Sequence, residues 1–233
     1  GDILSTAGSI EVDSGGNIAM YDGNSATTSA ANVRYYAAGT MDVGAITATN
    51  ASVSLSADDI TDSAAAGDSS TDVTADKLRI YTTEDASGGA GESDDHLEIA
   101  VSTLAADVYT GGLYLTENDD ITVDTVSAVG VVRVDSDGTN DNTGNDLEDA
   151  ALSDLTSVGK LVLQTENGFL TVNGGGDDAG ISAAGNTLLK TAETGESSED
   201  NADDITLNAS VTSSGGHISI HSADGIVQAA TGD

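Results

Sequence analysis

The chain has 233 residues, 38% apolar but only 3% aromatic, with no Trp, Cys or Pro and a net charge of 6 − 40 = −34. Without Cys there are no disulfides, thiolate metal sites or thiol nucleophile. So few cations disfavour nucleic acid and anionic membranes, which are bound through Lys and Arg, and no apolar run is long enough to predict membrane insertion.

In chain order the first element is a short strand opened by Gly1-Asp2-Ile3, followed after a small-residue corner by Gly15-Gly16-Asn17-Ile18-Ala19-Met20. The same phrase returns near the other end as Asp203-Asp204-Ile205 and Gly215-Gly216-His217-Ile218-Ser219-Ile220. Between them lie degenerate copies: Val53-Ser54-Leu55, Asp59-Ile60, Leu78-Arg79-Ile80, Leu97-Glu98-Ile99, Leu113-Tyr114-Leu115, Ile121-Thr122-Val123, Leu161-Val162-Leu163 and Leu170-Thr171-Val172. From Ile18 to Ile218 there are roughly seven intervals of about 29 residues, a period typical of stacked repeats. Apolar residues alternate with polar ones inside each phrase, the signature of half-buried strands, so the expected fold is an all-β parallel solenoid of about seven or eight irregular coils, one continuous domain over 1–233. Ile18, Met20, Val53, Leu55, Leu78, Ile80, Leu113, Leu115, Leu161, Leu163, Ile218 and Ile220 are expected to point inward. Helical spacing is confined to Asp146–Val158, which reads as a short helix or as a strand with a loop. The absence of Pro suits strands that all donate into ladders. Gly225-Ile226-Val227-Gln228 opens another strand close to Asp233, so the chain reads as an excerpt or processed subunit of a longer array.

Charge is the second signal. Asp58-Asp59, Asp94-Asp95, Asp119-Asp120 and Asp203-Asp204 all precede a first strand and would stack in one ridge, favouring cations as partners. Acidity that only keeps the chain soluble in salt is the alternative. The sharpest metal candidate is the run Asp135-Ser136-Asp137-Gly138-Thr139-Asn140-Asp141 through Asp146, where Asp135, Asp137, Asn140, Asp141 and Asp146 supply the oxygens that Ca2+ takes. Its Gly sits at the fourth position, not the sixth, and Glu148 is displaced, so it is no EF-hand; a solvated polar loop is the competing reading. Asp177-Asp178 and Glu199-Asp200 are weaker versions of the same idea. His217 and His221 flank Ser219 and read as surface decoration or a zinc pair. Lys77, Arg79, Arg133, Lys160 and Lys190 flank second-strand residues and would form a basic stripe able to meet the acidic ridge of a second copy.

The paired segments Asp204-Ile205-Thr206-Leu207-Asn208-Ala209 with Ser214-Gly215-Gly216-His217-Ile218-Ser219-Ile220, and Gly1-Asp2-Ile3 with Gly15-Gly16-Asn17-Ile18, resemble the repeats of filamentous haemagglutinin-type large exoproteins and adhesins. That resemblance implies a right-handed parallel β-helix, secretion to a bacterial cell surface, and a structural or adhesive rod that self-associates into fibres or contacts host or surface glycans. No catalytic triad or nucleophile turn is marked, so no enzyme is expected. The alternative, a polysaccharide-active β-helix enzyme, would need one groove joining carboxylates and basic residues with Tyr35, Tyr36, Tyr109 or Tyr114.

Overall fold

The computed structural model of the protein describes residues 1–64, 68–83, 88–141, 147–176, 178–192 and 203–229. Apolar residues at every second position give each segment one buried face, and the described residues form strands with no helix. A curled 22-stranded sheet holds all but two of the strands, with every pairing in it parallel; the exception is an antiparallel hairpin, Val129–Val131 with Leu147–Asp149. The Asp146–Val158 segment takes its second reading, since Leu147–Asp149 and Leu155–Ser157 are strands.

Pairing is in register, so equivalent residues line up in columns. One column runs Ile18, Met41, Ile60, Ala90, Leu113, Leu161, Thr187, Ile218. Another runs Val12, Tyr35, Leu55, Ile80, Ala106, Leu155, Ile181, Val211. A third runs Ile3, Ala26, Ile46, Val73, Ile99 and meets Glu117. These columns line a single core of small aliphatics, in which each fully buried Val, Leu, Ile or Met contributes about 1.5–3 kcal/mol relative to exposure. Eleven of the twelve residues expected inside are buried in that core or packed against it, Met20 and Ile220 only partly buried. Ile218 differs at 43% exposed, because no described strand pairs onto the far side of Ile218–His221.

Corners explain the Gly-Gly phrases. A Cβ on Gly111 would lie 2.5 Å from the Gly89 nitrogen, and one on Gly216 would lie 2.3 Å from the Gly185 carbonyl carbon, so the backbones can stack there only without side chains.

The same corners overturn the single acidic ridge. Asp120 and Asp204 share a column with Phe169 between them, while Asp59 lies in a different strand family and Asp95 in a turn bridged to Glu92. Three of them work on the next layer's backbone instead: Asp59 Oδ1 accepts from Gly89 N at 2.7 Å, Asp120 Oδ1 from Phe169 N at 3.0 Å and Asp204 Oδ1 from Gly225 N at 2.7 Å. Asn17 and Asn186 do this uncharged, accepting from Thr40 N and His217 N. Asp59, Asp120 and Asp204 are corner acceptors that satisfy N–H groups left over where strands end.

The hairpin of Val129–Val131 and Leu147–Asp149 belongs to a strap inserted between Ile121–Val123 and Leu155–Ser157. It seats on Ala105 through Val126, Val129 and Leu152, then runs back across the outside of the sheet. Beneath it lies an outward column, Glu11, Arg34, Ser54, Arg79, Ala105. Arg79 Nε donates to Ala150 O at 2.8 Å, Arg34 Nε to Asp149 Oδ1 at 3.0 Å, and Ser54 Oγ to Asp149 Oδ2 at 2.7 Å. At the strap's far end Arg133 reaches Glu11 and Asp13. The basic stripe therefore does not form: Arg79 is buried under the strap, Arg133 is part of it, and Lys160 precedes and Lys190 lies within strands of another family.

Candidate metal centre

The described residues bring three carboxylates together at one place, Asp62, Asp72 and Glu98, whose ligating atoms all lie within 4.8 Å of one another. Asp62 ends the strand Asp59–Asp62 in the buried phase set by Ile60, and its Oδ1 accepts from Ala64 N at 2.9 Å. Asp72 immediately precedes Val73–Thr82. Its backbone N donates to Glu98 O at 2.7 Å and its Oδ2 accepts from Glu98 N at 2.9 Å, which fixes Asp72 beside the strand Leu97–Val108.

The site is buried and wholly acidic. Asp62 and Glu98 are each 8% exposed and Asp72 4%. Asp62 Oδ2, Glu98 Oε2 and the nearby Asp68 Oδ1 are buried without a hydrogen-bond partner. Burial pushes the Asp72 carboxyl up to about 9 and Glu98 up to about 7, and raises Asp62 as well. The neighbouring charges that act on Asp62 and Glu98 raise them further, because they too are carboxylates, Asp68 and Asp95 among them. At these separations each ionised pair repels by about 3 kcal/mol in an effective dielectric of 20. Such a group either keeps protons or holds a cation, and an all-oxygen donor set suits hard ions such as Ca2+ or Mg2+.

Glu117 lies separately, in line with Ile99, its two oxygens accepting from Val101 N at 3.2 and 3.0 Å. Burial pushes it up to about 8.

The sequence-expected loop is a different structure. Val134 and Asn140 form an antiparallel bridge, Asp135 N donates to Thr139 O, and Gly138 takes φ +81°. Asp137 Oδ1 accepts from Thr139 N at 2.9 Å and Thr139 Oγ1 at 2.7 Å, which holds its carboxyl below the usual range. Asp135, Asp137 and Asn140 are exposed while Asp141 is buried. Among the described residues these acids do not converge as Asp62, Asp72 and Glu98 do; Asp146, like Asp177 and Glu199-Asp200, lies outside the described residues. The groove tyrosines are not gathered either: Tyr35 is in the core at 1% exposed and Tyr114 is buried at 8%. Neither an acidic pair nor a loop spacing marks the triad in the sequence. The available signal was phase, since Asp62 continues the inward alternation of Ile60.

No known protein-family model, no characterised protein and no solved structure matches the chain.

Proposed function

We propose that this chain is a segment of an extracellular structural or adhesive rod, a right-handed parallel β-helix of eight coils that extends by stacking end to end. The observation that carries the reading is the pair of columns from Ile18 to Ile218 and from Val12 to Val211, each with eight members in register, and among the described residues no strand pairs onto the outer side of the first or last of them. Both ends bare apolar side chains: Leu4 is 70% exposed at one, Ile226 50% and Val227 48% at the other. A concavity of about 810 Å3 beside the last layers is lined by Leu207, Ala209, Val211, Ile218 and Ile220 together with Asp178, Ser210 and Gln228. Since all the sheet strands run parallel, one end of a copy presents the partner edge that the other end needs, a heterologous contact that builds filaments. Secretion to a bacterial surface, and glycans as the surface contacted, rest on the resemblance to exoprotein repeats.

Negative-stain electron microscopy with sedimentation over a concentration series tests this. Rods lengthening in steps of roughly 40 Å, the height of eight strand spacings, are expected. Compact particles that stay monomeric at every concentration, or release of reducing sugar from a polysaccharide panel, would overturn it.

A further inference from the structure

We propose that Asp62, Asp72 and Glu98 form a binding site for one divalent cation, Ca2+, which fastens the end of the strand Asp59–Asp62 to the start of Val73–Thr82 and to the strand Leu97–Val108. This stands apart from the rod reading, because it concerns the interior of one chain and not contacts between chains. The three ligating atoms come from three different strands or strand ends, yet lie within 4.8 Å of one another. The site also holds an unmet demand: Glu98 Oε2 and Asp62 Oδ2, on side chains more than nine-tenths buried, accept no hydrogen bond. Among the described residues no cation acts on the site, and the further charges that do act on it are those of Asp68 and Asp95. An ion with two positive charges satisfies the open lone pairs and cancels the repulsion together. Ca2+ suits the site better than Mg2+, since it accepts irregular sets of carboxylates, whereas Mg2+ demands near-octahedral geometry and retains its waters. With oxygen alone as donor, soft metals have no ligand here.

The test is calorimetric titration of the full chain with CaCl2 at fixed ionic strength, paired with thermal unfolding in calcium and in chelator. One tight equivalent should stand out above weak, salt-sensitive binding to the acidic surface, and calcium should raise Tm. Asp72→Asn with Glu98→Gln should abolish the tight equivalent while leaving a folded chain whose Tm no longer depends on calcium. Should that double variant fail to fold, Glu98→Gln alone serves, as it removes charge from an oxygen without a protein partner; the tight equivalent should weaken roughly tenfold or more. Asp135→Asn with Asp137→Asn should leave it intact. The proposal is overturned by a wild type lacking the tight equivalent, by its survival unweakened in the Glu98 variants, or by its loss in the Asp135 and Asp137 variant alone.

Discussion

The same face of the sheet is decorated in two ways. Upstream, beneath the strap, the outward column Glu11, Arg34, Ser54, Arg79 is flanked by Asp13, Tyr36, Ser56, Tyr81, with Arg34 over the Tyr36 ring at 5.2 Å and Arg79 over Tyr81 at 5.5 Å. Downstream, where the strap has already left, the flanking column continues as Thr156, Ser182 and Thr212. The backbone ladder is alike in both parts. What differs is water: a covered column can use charge and large rings because partners enclose them, while a bare one needs only short side chains that fit the pleat. Covering thus concentrates stability upstream, and substitutions at matched positions of the two parts should show it.

The largest contrast lies in the core. Leu55, wholly buried in the covered part, should cost about 4 kcal/mol as Leu55→Ala, the range for cavities that cannot collapse. Ile220→Ala, half-buried at the open end, should cost less than half as much, because water already reaches the site. Denaturant titration checks the pair, and equal losses would mean that the covered and open parts unfold with the same protection.

A smaller effect isolates the strap. Asp149 accepts from both Arg34 and Ser54, and the Arg34–Asp149 side chains are only 9% and 13% exposed. Asp149→Ala strands a buried guanidinium, a loss of about 3 kcal/mol. Proteolysis within the strap should accelerate in this variant while the downstream strands stay protected. An unchanged cleavage pattern would show that the strap is held by its apolar seat on Ala105 alone.

How much of this was legible follows from what each feature depends on. Strand alternation and corner glycines are local, so Leu78-Arg79-Ile80 and Gly215-Gly216 announced them directly. The strap was not legible: Val129–Val131 carries the same alternation as the sheet strands, and only its antiparallel pairing with Leu147–Asp149 sets it apart. Arg79 and Arg133 looked like neighbours on a stripe for the same reason. The triad escaped because its members come from separate strands, and its acidity was masked by Asp pairs whose task is to accept corner N–H groups. The loop at Asp135–Asp141 shows the converse, as its calcium-like spacing also describes a hairpin turn in which Asp137 binds its own backbone neighbour.

The corner column that joins the two parts gives the subtlest contrast. Glu117 pairs in register with Thr165, which pairs with Thr191, so one buried carboxyl upstream is followed by two buried hydroxyls downstream. Thr165 Oγ1 donates to Gly168 O and needs no charge. Glu117 faces Val101 N and Asp119 N as donors, with the Asp119 carboxylate as the neighbouring charge. Its folded value, raised from 4.5 to about 8, means that the native state holds a proton which the unfolded chain gives up. The stabilisation is therefore complete below about 4.5 and lost as pH rises toward 8. Linkage allows at most about 1.4 kcal/mol per pH unit, so raising the pH from 5 to 7 should cost on the order of 2 kcal/mol through this residue. Glu117→Thr copies the downstream solution into the upstream corner. Its stability should fall less steeply than that of the wild type over the same pH interval, measured in chelator so that cation binding does not intervene. Parallel pH profiles for the two proteins would mean that Glu117 stays ionised in the folded chain, its charge carried by the N–H groups of Val101 and Asp119.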